Sequence, residues 1–176
     1  MSKFDKLNGD VFQRDCLELA PELVGKIIVR TLPDGNELRL RITETEAYRG
    51  MEDTACHAHK GRTPRNEMLW KRGGTIYVYL CYGIHWLLNI ISSDEDVPQG
   101  VLIRACQLPY DGPGKLTKAL SIDKSFNGLD IRSCPQLRIE DDGSLFDIET
   151  APRVGIGYAS PEDQARPWRF ILKEEK

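Results

Sequence analysis

The chain has 176 residues, enough for one domain with its own core, and its 40% hydrophobic and 29% charged residues are a globular composition without repeats or low-complexity tracts. Its longest apolar stretch, residues 76–91, is broken by Gly83, His85 and Asn89 and falls short of the roughly 20 residues that span a bilayer, and MSKFDKLNGD lacks the apolar core of a signal peptide, which predicts a soluble intracellular protein without membrane association, cytoplasmic or, in a eukaryote, nuclear. A formal charge of −3 and a pI of about 5.7 argue as totals against a nucleic-acid partner, yet residues 60–72 hold five basic residues (Lys60, Arg62, Arg65, Lys71, Arg72) against Glu67, a local +4 that leaves one basic side open.

In chain order, residues 10–20 start acidic and carry Val11, Phe12, Leu17 and Leu19, which predicts a helix, with Pro21 opening a second short turn that ends at Gly25. Residues 26–31 and 37–48 flank LPDGN, in which Pro33 presets its backbone angle and Gly35 accepts positive φ, so a β-hairpin is expected. Along its second strand Leu38, Leu40 and Ile42 share one side. If that alternation holds, Glu44, Glu46 and Tyr48 continue the apolar side, where a carboxylate needs a hydrogen bond, a partner or a cleft. The alternative is a strand that ends near Ile42 with both glutamates solvated.

The tract TIYVYLC, residues 75–81, is β-branched and aromatic and reads as a strand, Tyr82-Gly83 as a break, and residues 84–91 and 101–108 as two more apolar strands. Glycines precede Lys115 in GPGK, which opens a helix to about residue 122 and reads either as an anion-binding helix start or as a plain loop. Further short strands are expected at residues 137–140, 144–148, 153–157 and 168–173. The expected fold class is α/β in a mixed, α+β-like sense: a single domain, residues 1–176, with a largely antiparallel central sheet, short flanking helices and a protruding β-hairpin.

Five cysteines at 16, 56, 81, 106 and 134 contain no CxxC pair, so they read as small apolar side chains in a reducing compartment. Cys56, His57 and His59 suggest zinc, but their tight spacing is not that of a usual structural site, and no metal or cofactor is expected. Tyr48 and His57 lie near Glu46 in sequence, with Tyr77, Tyr79 and Tyr82 on the next strand. Aromatics beside a basic tract suit a protein that stacks a base and grips the flanking phosphates, although an aromatic core beside a solvated loop has the same composition.

TETEAY at 43–48, His57 nine residues later, TPRN at 63–66, GTIYVYLCYG at 74–83, Asn89 and VLIRA at 101–105 closely resemble the alkyladenine (3-methyladenine) DNA glycosylase family. The resemblance continues through GPGKLTKALSIDKSF at 112–126, PRVGIGYA at 152–159 and RPWRF at 166–170, and so covers nearly everything after Leu17. It implies a monofunctional, cofactor-free enzyme, acting as a monomer, that removes alkylated or deaminated purines from double-stranded DNA. Glu46 would position and deprotonate the attacking water, with Arg104 beside that water. Tyr48 and Tyr79 would stack the flipped base, His57 would pack against it, Leu69 would form part of the wall, and Asn89 would clash with the guanine amino group. Tyr82 would fill the vacated space in the duplex. The same comparison favours Glu46 over Glu44 as catalyst, and leaves His59 and His85 structural or phosphate-facing. Arg65 and Arg72 are expected phosphate contacts, Lys115 and Arg153 further candidates.

The chain departs from the family where members carry a longer basic insertion between the strand at 101–108 and GPGK; here only Pro109, Tyr110 and Asp111 remain. That puts DNA affinity in doubt more than chemistry. It also keeps open a module that binds damaged bases without cleaving them, while a zinc hydrolase built on Cys56, His57 and His59 is a weaker third reading.

Overall fold

The computed structural model describes residues 4–173. Nine strands and three helices form there: β1 (Asp5–Lys6), α1 (Cys16–Leu23), β2 (Ile27–Thr31), β3 (Glu37–Arg49), β4 (Ile76–Cys81), β5 (His85–Ser92), β6 (Gln99–Cys106), α2 (Pro113–Ala119), β7 (Leu137–Asp141), β8 (Ile148–Ala151), α3 (Pro161–Ala165) and β9 (Arg169–Leu172). The strands make one mixed α/β domain's sheet in the order β1-β7-β2-β3-β6-β5-β4, antiparallel at every pairing. β2 pairs with the first half of β3, and β9 takes over the same edge at Glu44, Thr45 and Glu46, with β8 outside it. The middle of β3 therefore lies between two strands, a rigid place for a side chain that must not move.

The turn chemistry at residues 32–36 acts as the sequence predicts. Leu32 and Asn36 close the hairpin, the Leu32 N–H donating at 2.8 Å, and Gly35 takes φ 85°. At the amino terminus the outcome differs: a 3-10 turn (Gly9–Gln13) is followed by α1, whose start is fixed by Asp15 accepting from the Leu17 N–H at 2.9 Å. Pro21 lies inside this helix instead of opening a new turn. Two expected strands, 144–148 and 153–157, do not form as such. The strand is β8, and residues 152–160 are an irregular loop, because Pro152 offers no N–H and Gly155 adopts φ 75°, both of which stop pairing.

The main core lies on one face of the sheet, where Phe12, Leu19 and Leu23 pack with Leu40, Ile42, Ile90, Ile103 and Leu116. The opposite face carries a smaller buried group, Cys56, Ala58, Leu69, Tyr77 and Ile91. No helix among the described residues is long and apolar enough to cross a membrane.

Asp163 ties the end of the irregular loop to Thr54, in the segment that follows β3. Its carboxylate accepts from the Thr54 hydroxyl and N–H, from Ser160 Oγ at 3.0 Å and from Arg166 Nε at 2.8 Å. Those bonds, the Thr54 hydroxyl foremost and against the opposing effect of burial, hold its carboxyl far below the usual range. A depressed carboxyl stabilises the fold above its unfolded pKa, near 4, and that stability is lost as pH falls toward the folded value. Asp163→Asn should therefore lower stability by about 1–3 kcal/mol at pH 7. In thermal melts the gap between the two proteins should narrow as pH falls below about 4; a gap that stays constant down to pH 3 would contradict the assignment.

Candidate active site

Glu46 is buried, with 0% exposure, but for a different reason than strand alternation suggests. The β3–β6 ladder has an irregularity between Ile42 and Thr45, and it takes both strands together. Before it, Ile42 and Cys106 face the main core; after it, Ala47, Val101 and Ile103 do, and Thr45 points to the same side, its Oγ1 donating to the Ala20 carbonyl at 2.7 Å. Glu44, Glu46 and Tyr48 thus do not continue the apolar side set by Leu38, Leu40 and Ile42. A bulge changes which face a strand presents to the core, and Glu46 points away from the main core into the second face.

The register then aligns four strands. Glu46 pairs with Leu102, Leu102 with Asn89 and Asn89 with Tyr77, so these residues form one row across β3, β6, β5 and β4 on one face. One step to one side of the row Tyr48 lies opposite Gly100, and one step to the other side Tyr79 lies opposite Leu87. Around this row is a cavity of about 170 Å³ lined by Tyr48, His57, Leu69, Tyr77, Tyr79 and Asn89, with Tyr82, Ile156 and Tyr158 also contributing. A cavity of roughly 150 Å³ can hold a benzene ring, so a flat heterocycle entering from the open side is a reasonable occupant. Gly100 lines the cavity too, where a Cβ would sit in ordinary contact with Ile91 and Leu69 at 3.5 Å.

Glu46 accepts on both oxygens. Oε1 takes the Val154 N–H at 2.8 Å and has Arg104 Nε at 3.5 Å, and Oε2 takes the Tyr48 hydroxyl at 2.7 Å. Burial, then the charge of Glu46 and the hydrogen bond to it, raise Tyr48 far above its ordinary value, so the phenol remains the donor. Each carboxylate oxygen keeps a second lone pair, and a carboxylate fixed this way can take a proton from water without reorganising. Arg104 is shared: its Nε lies 3.9 Å from Glu44, which Arg169 Nη1 also meets at 3.3 Å. Glu44 is thus engaged with two arginines at the outer side.

The aromatic wall comes from β4 and the loop after β3. His57 lies edge-on to Tyr79, with centroids 4.5 Å apart, and Tyr77 packs beside Tyr79 at 5.3 Å. His57 Nδ1 meets the Tyr77 hydroxyl at 2.9 Å. Burial, helped by the positive charge of Arg65, holds His57 below its ordinary value, so its ring is uncharged at neutral pH, and burial pushes Tyr77 up to about 12. Asn89 is buried, and its amide nitrogen donates to the Tyr77 carbonyl at 3.3 Å. The second histidine of the suspected zinc cluster points elsewhere, His59 Nδ1 meeting the Met51 carbonyl at 2.7 Å. Among the described residues no three His, Cys, Asp or Glu side chains are grouped to hold a metal ion.

Tyr82 stands at the tip of the β4–β5 hairpin at 89% exposure, beside Leu80 and Ile84, which are also exposed. Arg65 and Arg72 are on the surface, Arg65 close enough to the cavity wall to act on His57 and Tyr77. Lys115 is on α2, paired with Asp111 at 2.8 Å and largely exposed. Arg153 requires a correction. It is not a surface cation available to a phosphate: its side chain is fully buried against Asp53, Nη1 to Oδ2 at 2.6 Å. The residues in this site that sequence reasoning does not single out are the Val154 backbone amide, Gly100 and Tyr158, whose hydroxyl donates to the Ala55 carbonyl at 2.7 Å. A backbone donor leaves no trace in residue type, and only the glycines around Tyr158 hint at an irregular loop there.

A model of the family described as methylpurine-DNA glycosylase matches residues 10–176. Among similar curated proteins is one from Natranaerobius thermophilus, 40% identical with 96% of each chain covered, and one from Methanocella arvoryzae, 41% identical with 95% of this chain and 92% of the relative covered. A third, from Borrelia garinii subsp. bavariensis, is 38% identical over 94% of this chain and 95% of its own. All three bear the name 3-methyladenine DNA glycosylase, given provisionally.

Proposed function

Because this chain belongs to the methylpurine-DNA glycosylase family, and is thus a DNA glycosylase of DNA repair, we propose that it flips 3-methyladenine, hypoxanthine and similar purines out of duplex DNA. It then hydrolyses their N-glycosidic bond with a water activated by Glu46. The observation that carries this reading is a fully buried carboxylate that accepts from the Tyr48 hydroxyl and the Val154 N–H, with Arg104 at 3.5 Å, in strand register with Leu102, Asn89 and Tyr77, which line an aromatic cavity.

Inside a duplex the glycosidic bond is out of reach, so the nucleotide must be extruded, at a few kcal/mol for unstacking and unpairing. Tyr82 is the wedge that fills the gap. The base enters between Tyr48 and Tyr79, against His57 and Leu69. Glu46 takes a proton from water as the water oxygen bonds to the sugar anomeric carbon; the glycosidic pair of electrons leaves with the base, and the carboxylate offsets positive charge growing on the sugar. A base methylated at N3 departs neutral, whereas hypoxanthine departs as an anion that takes its proton from water. Electron-rich tyrosine faces favour the cationic base, and Asn89 refuses the guanine amino group. Arg104 stays beside Oε1 and the water. Arg65 and Arg72 contact the backbone, with Lys115 at its margin. The proposed enzyme acts on double-stranded DNA as a monomer, inside the cell.

Free-base release compared across duplexes containing 3-methyladenine, 7-methylguanine, hypoxanthine or only normal guanine tests this reading. The expected result is release of 3-methyladenine and hypoxanthine, slower release of 7-methylguanine, whose cationic ring leaves readily but which keeps the amino group that Asn89 opposes, and guanine untouched in the parent protein but released detectably by Asn89→Ala. Release of guanine and hypoxanthine at equal rates by the parent protein would overturn the role given to Asn89.

A further inference from the structure

Arg153 precedes the residue whose amide meets Glu46, and its side chain is built into the same place. The guanidinium forms a two-pronged pair with Asp53, at 2.6 and 2.9 Å, and both side chains are fully buried. Its Nη1 also donates to the Ala47 carbonyl at 2.9 Å, the backbone between Glu46 and Tyr48. The charge lies over the rings of Tyr48 at 4.8 Å and Trp168 at 5.0 Å. Asp53 in turn accepts from the N–H groups of Arg49 at 2.9 Å and Ala55 at 3.0 Å, so it holds the turn that leaves β3 and enters the cavity wall. A buried ion pair is weak in its own right as a source of stability, because apolar replacements of similar volume often do as well. What this pair adds is geometry: one planar fork joins the loop carrying the Val154 N–H, the strand carrying Glu46 and the face of Tyr48.

We infer that Arg153 is a positioning residue for the glycosylase reaction, which, clamped by Asp53, sets the Val154 amide and the Tyr48 ring against Glu46. The inference rests on the reading of Glu46 as the water-activating group. It acts through the two groups that bond the carboxylate and touches neither base nor water. Lysine keeps the charge but loses the fork, which is what matters here.

Three altered proteins test it: Arg153→Lys, the uncharged pair Asp53→Asn with Arg153→Met, and a backbone ester replacing the Val154 amide. The uncharged pair leaves no charge buried without a partner, and the ester removes the N–H donor alone. For folded protein, lesion binding should stay within about threefold while single-turnover base release falls by about 10- to 100-fold, because displacement of about 1 Å suffices for that loss. The ester should reproduce most of the loss. Should Arg153→Lys fail to fold, the other two still decide. Release at the parent rate in a folded uncharged pair or in the ester overturns the inference, as does a loss of binding equal to the loss of release, which marks a purely structural role. Full activity of Glu46→Gln would instead remove the reading beneath it.

Discussion

Glu46→Gln is expected to lower single-turnover base release by about 10³- to 10⁴-fold while leaving lesion binding intact, since it removes the proton acceptor and the negative charge together. Glutamine keeps the shape. Its amide oxygen can still accept the Val154 N–H, and Tyr48 can turn its hydroxyl to accept from the new NH₂ group, so the fold should weaken by only about 1–2 kcal/mol. Arg104 loses one carboxylate but keeps Glu44 at 3.9 Å. Base release by quenched-flow or gel assay, beside lesion binding by anisotropy, separates the two effects. Release within tenfold of the parent would remove Glu46 from the chemistry.

Tyr82→Gly should show the opposite split between stability and function. The side chain is 89% exposed and its residue has φ 51°, so glycine forfeits no packing and relieves a left-handed conformation, which should leave stability unchanged or raise it by about 1 kcal/mol. If Tyr82 fills the space left by the flipped base, its loss forfeits part of a few-kcal/mol unstacking term, and release from duplex should fall by about 100-fold. Single-stranded substrate, already unpaired, should suffer much less. Equal losses on both substrates would place Tyr82 in the cavity's chemistry and not in the duplex.

The elements set by local chemistry were legible in the sequence: the LPDGN hairpin, the TIYVYLC strand and its two neighbours, and the short helix after GPGK all formed within a few residues of expectation. Turn residues and β-branched runs act over short distances. What was hidden depends on register between strands distant in sequence. The irregularity at Ile42 to Thr45 reverses the faces of β3 and β6 at once, so alternation led to a buried Glu46 by the wrong side. Arg153 read as a surface cation because an arginine gives no sign of its burial until Asp53, 100 residues earlier, is seen beneath it. The loop at residues 152–160 hid for a different reason, since its contribution is the Val154 backbone N–H, which residue type does not record.

The most direct test of the account is single-turnover incubation of the protein, in excess, with a duplex carrying one hypoxanthine and with a methylated duplex, reading free base and abasic sites. Complete release of free purine is expected, with an abasic site left in an otherwise intact strand. Lesion DNA that is bound yet keeps every glycosidic bond would contradict it, and would make the aromatic cavity a place where damaged bases are held and not removed.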